Sequence, residues 1–229
     1  MSELKRYVII TAGGAGLRMQ NSTPKQFLLL GGKPILFHTI ETFFRFDSCI
    51  RVILVLPARY EELWDQITQQ YEFSVPVKKV TGGPTRFHSV KNGLKLVDDQ
   101  SLVAIHDGVR PLVSQKTISE AFRMASFYGN AIPVISMNES VRWVENAFNK
   151  PINRDQVKIV QTPQCFRANM IKKAYDVQFH EAFTDDASVL EKAGERIYLS
   201  EGNTENIKIT SPGDLFLAEA LLQHKKQTG

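Results

Sequence analysis

Tyr7-Val8-Ile9-Ile10-Thr11-Ala12-Gly13-Gly14-Ala15-Gly16-Leu17-Arg18-Met19 is an apolar run that empties into a glycine-rich loop, and Pro24-Lys25-Gln26 follows within a few residues. Glycines let such a loop offer its backbone N–H groups to phosphate oxygens, because no Cβ blocks the approach and left-handed backbone costs little. Arg18 and Lys25 set positive charge beside those donors. The combination suits a nucleoside triphosphate whose α-phosphate is to be attacked. A Walker loop is excluded because Leu17, Arg18 and Met19 stand where Gly-Lys-Ser/Thr should close it. A dinucleotide fingerprint fails because Met19 occupies the third glycine position and no acid follows a second strand at the expected distance.

The chain has 229 residues, 43% of them hydrophobic, which is enough for a full core and near the upper end of what one domain holds. Apolar, β-branched runs at 7–11, 51–56, 77–80, 102–106, 131–135 and 207–210 predict strands. Between them, Ile35, Leu36, Thr39, Ile40, Phe43 and Phe44 recur at helical spacing, as do Ile118, Ala121, Phe122 and Ala125. Apolar strands alternating with helices predict an α/β fold, a mostly parallel sheet with helices on both faces. Ligands collect at the carboxyl ends of such strands.

Composition narrows the function classes. The formal charge is +4, but 28 bases are spread among 24 acids, with no dense basic block to grip nucleic acid. A local anion pocket accounts for the excess. Cys49 and Cys165 are far apart and lack the spacing of a disulfide framework or zinc site. No run approaches the ~20 apolar residues of a membrane helix, and residues 1–5 lack the apolar core of a signal peptide. A cytoplasmic protein with no membrane association is the expectation.

Strand ends carry the remaining candidates. Residues 102–106 lead into Asp107-Gly108-Val109-Arg110-Pro111, where Asp107 is placed to bind a hydroxyl or a metal–water shell and Arg110 to hold phosphate or orient Asp107. An Asp–Arg pair capping a helix near Val113 is the plainer alternative. After 77–80 comes Thr81-Gly82-Gly83-Pro84-Thr85-Arg86-Phe87-His88-Ser89, a turn whose open backbone and Ser89 hydroxyl suit a base edge, or simply a turn with a capping serine. Thr184 reads as a helix cap, and Lys208 as an outward side chain on a strand. From Glu139 to Val160, alternation in residues 140–144 and 157–160 around a polar turn at 145–151 suggests a β-hairpin. Carrying Trp143 and Phe148, it is either an arm that packs on a second subunit or a surface loop with its own apolar cluster.

Taken in order, residues 12–19, Pro24-Lys25-Gln26, Gly82-Gly83-x-x-Arg86-x-x-Ser89-Val90, His106-Asp107-x-x-Arg110-Pro111, Thr162-Pro163-Gln164, Thr184-Asp185-x-Ala187-Ser188 and Asn206-Ile207-Lys208-Ile209-Thr210 resemble the 2-C-methyl-D-erythritol 4-phosphate cytidylyltransferase family over nearly the whole chain. The resemblance implies a Rossmann-like nucleotidyltransferase fold, one domain over 1–229 with 139–160 as a dimerisation arm. It also implies CTP-dependent transfer of CMP to a sugar-alcohol phosphate, with Mg2+ assistance and pyrophosphate as the second product. In-line displacement builds charge on α-phosphoryl oxygens, so positioning and electrostatic stabilisation carry such a reaction.

By that resemblance Arg18 and Lys25 stabilise the transition state. Ala12, Gly13, Gly14, Ala15, Gly16, Gly83, Ser89 and Gly108 hold the nucleotide, while Asp107, Arg110, Thr162 and Lys208 face the alcohol phosphate. Ser140 and Arg154 reach the partner subunit's substrate phosphate in a homodimer. Metal ligands stay unassigned, since no acid cluster has octahedral spacing and phosphate oxygens with water would supply most of them. The chain departs from the family pattern at Gly108 and Val109, where two alanines are usual, at Ser140, where threonine is usual, and at Pro84, often aspartate. The related ribitol-5-phosphate cytidylyltransferases share the loop and Pro-Lys-Gln but tend to carry cysteine where Ser188 follows Ala187. A nucleotide sensor on the same fold would not need Arg18, Lys25 and Lys208 together.

Overall fold

Each position along the first apolar run is buried because it has a helix layer to face on either side. In β1 (Lys5–Thr11), Val8 and Ile10 point into one apolar layer while Tyr7 and Ile9 point into the other. The computed structural model describes residues 4–14 and 23–228, so Ala15, Gly16 and Arg18 lie outside the described residues. After the loop, β2 (Leu29–Leu30) and β3 (Lys33–Pro34) form a minimal hairpin that leads into α1 (Ile35–Phe46). Next come β4 (Arg51–Leu56), α2 (Glu61–Gln70), β5 (Val77–Thr81), α3 (Arg86–Leu94), β6 (Ser101–Asp107), α4 (Gln115–Tyr128) and β7 (Asn130–Ser136). The chain then makes β8 (Val141–Glu145), β9 (Phe148–Ile152), β10 (Lys158–Val160) and β11 (Gln164–Arg167). It ends with α5 (Ala168–Ala174), α6 (Asp186–Lys192), β12 (Leu199–Glu201) and α7 (Pro212–Thr228).

The main sheet runs β10-β7-β11-β6-β1-β4-β5, with β12 added on β7. Strands β6, β1, β4 and β5 are parallel neighbours, whereas β11 enters antiparallel between β6 and β7. The sheet is thus mostly parallel with helices on both faces, as the sequence pattern predicts. All seven residues of β6 are buried, and its carboxyl end, like that of β1, opens onto the same edge.

Two expectations need correction. Residues 207–210 are not a strand: Ile209 N–H donates one bond to Val109 O, while Thr210 and Ser211 N–H donate to Asp214 Oδ2 at the start of α7. The apolar alternation there serves packing, with Ile209 buried beside Leu30, Ile35 and Ala218. The hairpin is also shorter than residues 140–160. Val141–Glu145 pairs with Phe148–Ile152, so Pro151 lies in a strand and not in the turn, which is made by Asn146 (φ 51°) and Ala147. Pro151 is tolerated because a free two-stranded ribbon has no third strand to require the N–H that proline lacks. Lys158–Val160 instead pairs with β7 in the main sheet.

One layer is anchored by Phe37 of α1, stacked on Phe73 at 4.1 Å and edge-on to Trp64 at 5.5 Å. No helix among the described residues is long and apolar enough to cross a membrane. Phe37→Ala should cost roughly 3–5 kcal/mol of stability in urea denaturation, because a fully enclosed ring leaves a cavity. Truncating Phe127, 69% exposed, should change stability by no more than about 0.5 kcal/mol.

Candidate functional site

The end of β1 is pinned from three sides. Ala12 N–H donates to Val55 O at 2.9 Å, Gly108 N–H donates to Thr11 O at 2.9 Å, and buried Gln26 donates from Nε2 to Ala12 O at 2.8 Å. Gln26 belongs to a single 3-10 turn over Lys25–Phe27, closed by Phe27 N–H on Pro24 O. Fixing Gln26 therefore fixes Lys25. The lysine lies across Gly14, where a Cβ would sit 3.0 Å from its Cε and 3.6 Å from its Nζ, so a side chain at residue 14 would push the lysine tip aside.

Opposite stands the turn after β5. Gly82 N–H donates to Leu56 O, and Ser89 Oγ accepts from Gly83 N–H at 3.1 Å while donating to Thr85 O at 2.9 Å. Thr85, rather than Ser89, caps α3 by accepting from His88 N–H. A Cβ at residue 83 would lie 2.4 Å from His88 Cβ and 3.1 Å from its backbone carbon, so the close turn requires glycine there. Between the two loops lies a cavity of about 290 Å³ lined by Ala12, Gly14, Lys25, Gly83, Ser89 and Lys208, among others.

A second cavity of about 310 Å³ opens beside it, lined by Arg110, Thr162, Gln164 and Thr184. Arg86, Asp107 and Lys208 line both, making a charged partition. Asp107 Oδ2 lies 3.0 Å from Lys208 Nζ and 3.3 Å from Arg110 Nε, and its Oδ1 lies 3.7 Å from Arg86 Nε. Burial alone would raise the carboxyl pKa, but Arg86, Lys208 and Arg110 outweigh it and hold Asp107 well below the usual carboxylate range. Arg110 is itself fixed by donating Nη1–H to Asn206 O at 2.7 Å.

Behind the partition a buried hydrogen-bond chain sets the backbone of Asp107. His106 Nε2 meets Arg110 O at 3.0 Å, and a carbonyl only accepts, so Nε2 carries the proton. Nδ1 is then an acceptor for the Thr162 hydroxyl at 3.0 Å, and Thr162 Oγ1 in turn accepts from Asp107 N–H at 3.1 Å. Burial lowers the His106 pKa to about 4, against the opposing pull of the Arg110 carbonyl, so the ring stays neutral.

Of the residues singled out by sequence, Ala12, Gly13, Gly14, Lys25, Gly83 and Ser89 meet at the first cavity. Arg110 and Thr162 meet at the second, while Asp107 and Lys208 serve both. Gly108 is buried behind them, where a Cβ would meet Leu36 and Thr11 at 3.1 Å. Ser140 and Arg154 are exposed beside the hairpin and line neither cavity of their own chain, with Arg154 donating to Asn138 O at 2.7 Å. The α6 cap is Asp185, in a capping box with Ser188, so Thr184 is not the cap but a wall of the second cavity. Arg86, Asp186 and Gln26 escaped selection as site residues. Arg86 stands in the quoted glycine motif, and Asp186 looks in sequence like an ordinary first-turn acid.

Comparisons with known proteins point to one family. The model of the 2-C-methyl-D-erythritol 4-phosphate cytidylyltransferase family matches residues 7–224. A protein of that name from Bacteroides thetaiotaomicron is 48% identical over 219 residues, covering 96% of this chain and 100% of the relative. Its counterpart from Bacteroides fragilis is 49% identical over 217 residues, covering 95% and 99%. The crystal structure of 4-diphosphocytidyl-2C-methyl-D-erythritol synthase from Anaerococcus prevotii superposes with a TM-score of 0.81 at 30% identity, covering 96% of this chain and 99% of that one.

The neutral His106 has a consequence for stability. The unfolded chain takes up the imidazole proton near pH 6.5, the folded chain only near 4, so stability is complete above 6.5 and falls as pH drops toward 4. The contribution is on the order of 3 kcal/mol. Urea titrations at pH 7 and pH 4.5 should show a smaller loss for His106→Gln than for the wild type.

Proposed function

The chain belongs to the 2-C-methyl-D-erythritol 4-phosphate cytidylyltransferase family, nucleotidyltransferases that move CMP from CTP to methylerythritol phosphate in isoprenoid biosynthesis, and we propose that the cavities flanking Asp107 and Lys208 hold its two substrates. The shared partition carries this reading, because the two reactants of an in-line displacement must meet across one short boundary. CTP occupies the first cavity, its cytidine against Ala12, Gly83 and Ser89 and its phosphates over Gly13 and Gly14. Ala15, Gly16 and Gly108 complete the nucleotide set. Lys25 faces the α-phosphate and meets the charge that develops on its oxygens, and the resemblance assigns Arg18 a share in that role.

Methylerythritol phosphate occupies the second cavity. Asp107 accepts from its hydroxyls, Thr162 and Arg110 border it, and Lys208 holds the attacking phosphate oxygen in line with the α-phosphorus. The new P–O bond forms as the bond to pyrophosphate breaks, giving a diphosphocytidyl alcohol. A site with preset cations needs little reorganisation as this charge moves, which is where the rate advantage lies.

No three carboxylate, histidine or cysteine groups gather into a metal site among the described residues. Asp107, the acid at the partition, is already ringed by cations. Among the described residues a divalent ion is therefore best accommodated as part of the CTP complex, on phosphate oxygens, where Mg2+ would neutralise the polyphosphate.

The active unit is a homodimer. Among the described residues strands β8 and β9 pair only with each other, and a lone two-stranded ribbon is marginal in water. Phe148 is 81% and Val144 67% exposed on it, an apolar tip that a second copy would cover. Ser140 and Arg154 then reach the partner's alcohol phosphate.

Pyrophosphate release with CTP, Mg2+ and either methylerythritol phosphate or ribitol 5-phosphate tests the substrate assignment, and a higher kcat/KM for ribitol phosphate would overturn it. Lys25→Ala should lower kcat by about 10²–10³ with a much smaller change in CTP affinity, the loss typical of one transition-state donor. Mixing Arg154→Ala with Lys25→Ala subunits should restore activity, since one site of the heterodimer is intact. No rescue after demonstrated subunit exchange would count against a shared site.

A further inference from the structure

The two oxygens of Asp107 are treated differently. Oδ2 lies 3.0 Å from Lys208 Nζ and 3.3 Å from Arg110 Nε, whereas Arg86 comes closest to Oδ1, with its Nε at 3.7 Å, beyond hydrogen-bond range. Electrostatics alone would draw that guanidinium closer. It is held back from the far side: Arg86 Nη1 and Nη2 donate to Asp186 Oδ1 and Oδ2 at 2.9 and 2.7 Å, and the Asp186 side chain is wholly buried. The Tyr175 hydroxyl donates to the same Asp186 Oδ1 at 2.6 Å. Its ring is stacked on Phe87 at 4.7 Å, and Phe87 stacks on Phe183 at 5.6 Å, so the anchor is packed as well as bonded.

We propose that Asp186 and Tyr175 tether Arg86, so that it lends charge to Asp107 without hydrogen-bonding it and leaves Oδ1 open to accept a hydroxyl of the alcohol substrate. Arg86 is a positioning residue acting through Asp107. This deepens the substrate assignment made above and rests on it. A direct phosphate clamp is the competing role, and the geometry disfavours it: both terminal nitrogens are committed to a buried carboxylate that would lose its partner if the arginine swung away. Lysine could neutralise Asp186 but could not span both acids, because it lacks the planar fork. Once the tether is cut, Asp107 Oδ1 is the next anion for Arg86. Closing from 3.7 Å to about 2.9 Å would place a guanidinium hydrogen where the substrate hydroxyl belongs.

The test uses the full-length dimer, steady-state kinetics with CTP and the alcohol phosphate varied separately, and CTP binding by calorimetry. Asp186→Asn should raise KM for the alcohol phosphate about tenfold or more, the size of one charge-assisted hydrogen bond, with CTP affinity within about twofold. Tyr175→Phe, which keeps the ring and serves if Asp186→Asn does not fold, should shift the same KM by less. The sign of the coupling is the sharpest readout: adding Arg86→Gln to either variant should recover part of the loss, because the arginine that blocks Oδ1 is gone. A double variant as impaired as the single one, unchanged KM in the singles, or equal losses for both substrates would overturn the tether. A wild type that turns over ribitol phosphate better than methylerythritol phosphate defeats the substrate assignment instead, and the tether is then read with that alcohol.

Discussion

A carboxylate buried at the end of an inner strand is tolerable only if positive charge follows it there, and Asp107 is met by three cations from separate parts of the chain. Arg110 arrives three residues later in the turn after β6, Arg86 from the first turn of α3, and Lys208 from the extended segment before α7. Removing any one would leave the acid under-compensated, so these segments are bound to one another through it. The partition between the two cavities is a direct outcome. The partition therefore carries an excess of positive charge, with three cations gathered about the one carboxylate of Asp107.

Much of this was legible in the chain. Strands β1, β4, β6 and β7 were evident because apolar runs without alternation belong to strands covered on both faces, and the glycine turns after β1 and β5 flagged the ligand edge. The segment 207–210 misled because alternating isoleucines mark burial on one side, and an extended segment packed on helices provides that as well as a strand does. Strand β11 was missed because Gln164-Cys165-Phe166-Arg167 is short and mixed, and its place between β6 and β7 is a long-range fact. Arg86 and Asp186 were hard to select for a related reason: a charge in the first turn of a helix is ordinarily solvated, and only the approach of α3 to α6 brings Arg86 onto a buried Asp186.

The hairpin shows where pattern and structure part company over length. Asparagine in a left-handed conformation permits the tight turn at Asn146, and a proline further on looked in sequence like the turn itself. Both signals were present, and the shorter loop prevailed because it lets five residue pairs form.

Strand β11 leaves its mark on the order in which the molecule can be assembled. During synthesis the ribosome releases β1, β4, β5 and β6 in sequence, and their parallel neighbours are all in hand before β7 emerges, so the left half of the sheet can close as it is made. The right flank of β6 has to wait for β11, after the hairpin has been made, and until then it is an open edge with apolar faces. The first cavity borders the half that closes early, while Thr162, Asn206 and Lys208 come from the late half. Nascent chains of this protein therefore pass through an interval in which one pocket wall stands without the other, and it is in that interval, more than in the finished fold, that exposed strand edges invite aggregation.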